Sequence, residues 1–144
     1  MRRCMIVANQ TLTSEALSRT VMERIGTELY EFYLVAPATP PGDLIEGSEP
    51  PPGAPSSDEL GFGLARQRLD RAIEELQALE VTVHGEVGDA DPVEAVREAL
   101  GRFAADEIVV STLHHTLSQW LRRDVPARLR RACDVPVTHV MAEA

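Results

Sequence analysis

The chemistry-bearing residues gather in "STLHHTLSQWLRRDVPARLRR", residues 111–131, directly after the apolar run "EIVV". Two hydroxyls open it, paired histidines follow, and it holds the sole tryptophan and five arginines. A strand that runs into a polar turn and a helix is a common phosphate-binding arrangement. Ser111, Thr112, His114, His115, Arg122 and Arg123 are therefore candidate contacts for a nucleotide or another anion. Three other chemistries fit less well. Adjacent side chains such as His114 and His115 diverge and rarely ligate one ion, and His84 and His139 fall on separate strands, so no metal site is expected. Ser111 lacks the glycine-flanked elbow that hydrolases use to expose a nucleophile. Asp89 and Asp91 are better explained as turn and cap residues than as members of a triad.

The run Arg122, Arg123, Arg128, Arg130 and Arg131 holds five of the fourteen basic residues. Late in a helix such residues complement its dipole and solvate its surface. The alternative, an anion or partner patch, rests on the expected position of Arg122 and Arg123 near the end of the preceding strand. Trp120, beside Leu117 and Leu121, reads as a core or interface anchor. Asp124 and Pro126 mark a second helix start, which divides the stretch into two short helices.

Alternating elements position these groups. "CMIVA" (4–8), "YEFYLVA" (30–36), "VTVHGEV" (81–87), "EIVVS" (107–111) and "VPVTHVM" (135–141) read as strands. Between them lie helical stripes. The first is Leu17, Val21 and Ile25. The second is Ala65, Leu69, Ala72, Leu76 and Leu79, in a helix from roughly Asp58 to Leu79. The third is Val93, Val96, Leu100 and Phe103. "GDADPVEAV" carries an N-cap at Asp91, a proline at N1 and Glu94 at N3 to complete a capping box. Residues 37–57 hold seven of the ten prolines and break the pattern as a long loop: a lid, a binding loop or a surface insertion. Strand–helix alternation with continuous apolar strands predicts one α/β domain over 1–144, a three-layer sandwich around a parallel sheet. Ligands bind such sheets beyond the carboxyl ends of the strands. That adds Ala8, Asn9 and Ala36 to the candidate ligand residues.

The bulk composition bounds the function. A chain of 144 residues suits one core, and its net charge of −9 argues against nucleic acid as a partner. All the basic residues are arginine, so no Schiff-base or P-loop lysine is available. Cys4 and Cys133 make no disulfide framework, and no apolar run approaches a signal peptide or a membrane span. A cytoplasmic protein is expected.

The length, the element order, "GDADPVEAV", "DEIVVS" and "RRACDVPVTHV" together resemble the universal stress protein family, in the adenine-nucleotide α-hydrolase-like superfamily. The resemblance spans almost the whole chain. It implies a Rossmann-like sheet of order 3-2-1-4-5 and a homodimer formed through the last strand, Pro136 to Met141. Many members bind ATP and others do not. Members that bind it have an aspartate ending strand one and a glycine motif after strand four. Here Asn9 stands at the aspartate position, and no glycine follows Gly101. Ser111 or Thr112, then His114 or His115, then Arg123-Asp124 occupy the glycine positions. Glycines let backbone amides turn toward a triphosphate, and Cβ atoms in their place close that nest. The expectation is a divergent, non-catalytic regulatory or binding protein that is not a typical ATP binder. One alternative is ATP or AMP binding at an atypical phosphate site with slow hydrolysis. Another is a structural dimer whose proline-rich loop and Trp120 contact a protein partner.

Overall fold

The structure, a computed structural model, describes residues 1–8, 11–12, 14–38, 57–112, 120 and 124–141. The expected site residues Asn9, His114, His115, Arg122 and Arg123, and most of the proline-rich segment, lie outside the described residues. The elements run β1 (Arg2–Val7), α1 (Glu15–Ile25), β2 (Tyr30–Pro37), α2 (Ser57–Gln77), β3 (Thr82–Gly88), α3 (Pro92–Leu100), β4 (Glu107–Thr112), α4 (Val125–Ala132) and β5 (Val137–Met141). The five strands form one sheet of order β3-β2-β1-β4-β5, and every pairing is parallel. This is the expected Rossmann-like three-layer sandwich.

Strand alternation divides the core into two. Cys4, Ile6, Ala8, Phe32, Leu34, Ala36, Val83 and Val109 face α1 and α2. Met5, Val7, Val35, Ile108 and Val110 face α3 and α4, with Val96, Val125 and Leu129 packed on them. Trp120 is half-buried against this second layer, as expected of an anchor. β1, β2 and β4 bury both faces, so their sequences read as unbroken apolar runs.

Several boundaries differ from the sequence expectation, each for a physical reason. β1 begins at Arg2, because Arg2 and Arg3 pair in register with Tyr30 and Glu31. Their charges stay solvated, in ion pairs to Glu28 and Glu31. β2 extends into the proline-rich segment as far as Pro37, which pairs with Gly88. The amide of Ala38 continues the β3 side of the ladder, donating to the Gly88 carbonyl at 3.0 Å. Backbone alternation turns the Pro37 nitrogen away from β3, so the missing donor takes no bond from the β2–β3 ladder. α2 stops at Gln77, and Leu79 is exposed rather than the end of the buried stripe. Its last turn tightens through Leu79 and Glu80 amides that donate three residues back, and Glu80 then adopts φ 61°. β5 starts at Val137, because Pro136 contributes only its carbonyl, accepting from the Ile108 amide at 2.9 Å.

The cap of α3 is half as predicted. Asp91 Oδ1 accepts from the Val93 amide at 2.9 Å, with Pro92 in the first turn. The return arm of the capping box is absent. The Asp91 amide donates instead to Asp89 Oδ1 at 2.8 Å, and Glu94 pairs with Arg97. Asp124 does occupy the N-cap of α4, but in a left-handed conformation with no side-chain cap bond.

Candidate functional site

The sheet order places a topological switch between β1 and β4. From β1 the chain goes to β2 on one side, and β4 and β5 lie on the other. Loops diverge at such a point, and the crevice beyond the carboxyl ends is the default ligand position. Three small residues floor that edge. Ala8 follows β1 and Ala36 lies near the end of β2, and both are fully buried. The Ala8 amide donates to the Val35 carbonyl at 3.2 Å. Gly88 ends β3 beneath α3, where a Cβ would lie 2.8 Å from Ala95 Cβ. The glycine is thus required for the helix to approach the rim.

Ser111 and Thr112 end β4 on opposite faces, and neither is displayed to solvent. They are 1% and 2% exposed. Ser111 Oγ shares a 2.7 Å hydrogen bond with Thr11 Oγ1, from the connection that leads into α1. Thr112 Oγ1 shares one of 2.8 Å with His139 Nε2 on β5. Burial, and then the charge of Arg130, hold the His139 pKa below its ordinary value. The imidazole is therefore neutral at pH 7. The end of β4 is clamped on both sides, to the β1–α1 connection and to β5.

Of the candidate ligand residues, the structure brings together Ala8, Ala36, Ser111 and Thr112 at one rim. It adds two that sequence reading passed over. Thr11, the first, is free for its bond to Ser111 because Ser14 caps α1, its Oγ accepting from the Leu17 amide at 3.2 Å. His139, expected on a strand apart from the other histidines, is the second. Side-chain parity along β5 was the available signal, since it places His139 on the β4 face that carries Thr112.

The arginines that are described favour the surface reading. Arg128 reaches Asp91 Oδ2 at 3.2 Å, tying α4 to the cap of α3. Arg130 and Arg131 are exposed in the last turn of α4, where positive charge complements the helix dipole. Cys4 and Cys133 are buried free thiols, and burial raises the pKa of both. That keeps them protonated and poorly nucleophilic. Among the described residues no three His, Cys, Asp or Glu side chains are grouped to hold a metal ion. Among the same residues no helix is long and apolar enough to cross a membrane.

No family model matches the sequence, and no curated protein matches it. Solved structures match in fold. A universal stress protein family protein from Arabidopsis thaliana with AMP bound aligns with TM-score 0.66 at 15% identity, over 100% of this chain and 94% of the other. A universal stress protein family protein from Burkholderia pseudomallei gives TM-score 0.60 at 17% identity, over 95% and 93% of the two chains. A universal stress protein in complex with cAMP gives 0.55 at 16% identity, over 96% of each. The chain has the universal stress protein fold.

Proposed function

We propose that this chain is a cytoplasmic, universal-stress-like binding protein that takes an adenine mononucleotide of the AMP class at the β1–β4 switch and does not turn it over. The observation that carries this reading is the rim itself, where small residues and paired hydroxyls meet at the switch point of the sheet. The fold-level neighbours with AMP or cAMP bound support the ligand class. Hydrolysis is disfavoured because the partner found for Ser111 Oγ is a threonine hydroxyl, which is no general base. ATP is disfavoured because the sequence after Gly101 has no glycine to form a triphosphate nest. Pairing of β5 with its copy through Pro136 to Met141 completes the proposal.

Thermal melting with millimolar AMP, cAMP and ATP tests the reading. AMP at about a hundred times its dissociation constant stabilises a binder by about 2.7 kcal/mol. The expected order is AMP above ATP, with ATP intact after prolonged incubation. No shift with any nucleotide overturns the proposal. Phosphate release from ATP would instead support slow hydrolysis at the atypical site.

A further inference from the structure

We infer that the proton on His139 controls whether β5 pairs with its copy: the edge associates while the imidazole is neutral and separates once it is charged. The inference rests on the β5 pairing proposed above and adds its regulation. Each of the other four strands carries at least one Asp, Glu or Arg, whereas β5, VTHVM, carries none. Proteins block unwanted pairing at a sheet edge with charge, so an uncharged edge is one left open to a partner. In a chain of net charge −9, a second copy meets repulsion elsewhere and a neutral strand here. His139 is the one titratable side chain on that strand, so a single imidazole sets the charge of the edge.

Register brings two of these imidazoles together. The Ile108 amide donates to the Pro136 carbonyl, so Val137, His139 and Met141 turn amide and carbonyl outward. A two-fold copy that uses all three sets Val137 opposite Met141 and His139 opposite His139. Such a hydrogen-bonded antiparallel pair has Cα atoms about 5.5 Å apart, with both side chains on one face of the sheet. For His139 that face is the α4 side, because it stands in register with Val110 of the second core layer. There Thr112 Oγ1 holds the ring at 2.8 Å, and Arg130 of α4 is the charged group that acts on it. α1, the other helix that touches β5, packs on the opposite face, in the layer that holds Leu17, Val21 and Val140. Among the described residues no carboxylate contacts the ring. Protonation therefore sets two imidazoliums opposite each other, each beside an arginine. Like charges directly opposite destabilise a strand pair.

Sedimentation equilibrium of the full chain at pH 7.5 and pH 5.0 tests this, with circular dichroism at each pH to establish that the chain is folded. The wild-type dimer should weaken by about tenfold or more at the lower pH, since pairing then expels up to two protons. His139→Gln, neutral and still able to bond Thr112, should keep one dissociation constant at both pH values. His139→Arg carries a fixed charge and should be monomeric at pH 7.5, a result that needs no acid. A wild-type dimer of unchanged affinity at pH 5.0 overturns the inference and leaves β5 pairing standing, as does an equal loss in His139→Gln. A folded His139→Arg chain that still dimerises overturns it too. A wild-type monomer at pH 7.5 overturns the pairing, and the inference with it.

Discussion

At the scale of single residues, the rim is made of partnerships that span the chain. Thr11 and Ser111 are 100 positions apart, and Thr112 and His139 are 27 apart. His139 gives the clearest consequence. Burial first, then Arg130 on α4, lowers its pKa, and Thr112 on β4 holds its Nε2. A base whose folded pKa lies below its unfolded value is neutral in both states at high pH. As pH falls below about 6.5, the unfolded chain takes up the proton first, and stability drops until the folded pKa is reached. Glu86 titrates below this window. Burial opposes its ionisation, but hydrogen bonds from Arg102 and Tyr33 outweigh burial and hold its carboxyl below the ordinary value. Urea midpoints should therefore fall between pH 7.5 and 5.5, and His139→Gln should flatten the fall. Parallel curves for wild type and variant would show that His139 is not the titrating group. The sequence exposed Ser111 and Thr112 as candidates because they follow an apolar strand. It concealed their partners, because strand register and helix approach decide which distant side chains meet.

At the scale of elements, local signals were the most readable. Asp91 and Pro92 mark the start of α3 through bonds within a few residues of each other, and the structure bears the start out. The capping-box arm failed because Asp89 offered the Asp91 amide an alternative acceptor, a competition that spacing alone does not rank. Boundaries at Pro37 and Leu79 moved because neighbouring strands and the final helical turn set them. Glycine spacing in β3 also had no visible reason in sequence. Gly85 lies where a Cβ would come within 2.8 Å of the Leu34 carbonyl oxygen, and Gly88 where it would meet Ala95. In both cases the neighbour is backbone or a side chain fixed to it, with little room to yield. Gly88→Ala should push α3 off the rim and cost about 1–3 kcal/mol, the usual range for overpacking. Denaturant unfolding checks this, and an unchanged midpoint would mean that α3 rides loosely on β3. Because Ala95 stands one turn from the Asp91 cap, the same change should weaken the Arg128–Asp91 tie between α3 and α4.

At the scale of the whole molecule, β5 leaves one edge of the sheet without a described strand beside it. Its Pro136 carbonyl faces β4, so backbone alternation turns the amides of Val137, His139 and Met141 outward. Val137, His139 and Val140 are half-exposed, and Met141 is 42% exposed. Unpaired donors beside apolar side chains are a liability that proteins resolve by covering the edge. A second copy paired across a two-fold axis covers it with the same surface. The net charge of −9 opposes close approach elsewhere on the molecule, while Arg130 and Arg131 lie on the helix that packs beside β5. Sedimentation at micromolar concentration should therefore show a dimer. Val137→Pro removes an outward amide at the first position of an edge strand, where proline is tolerated and no bond to β4 is lost. It should yield a monomer, and Val137→Ala, which trims the side chain and keeps the amide, should remain dimeric. A wild-type monomer, or a dimer that survives Val137→Pro, would mean that another surface covers this edge.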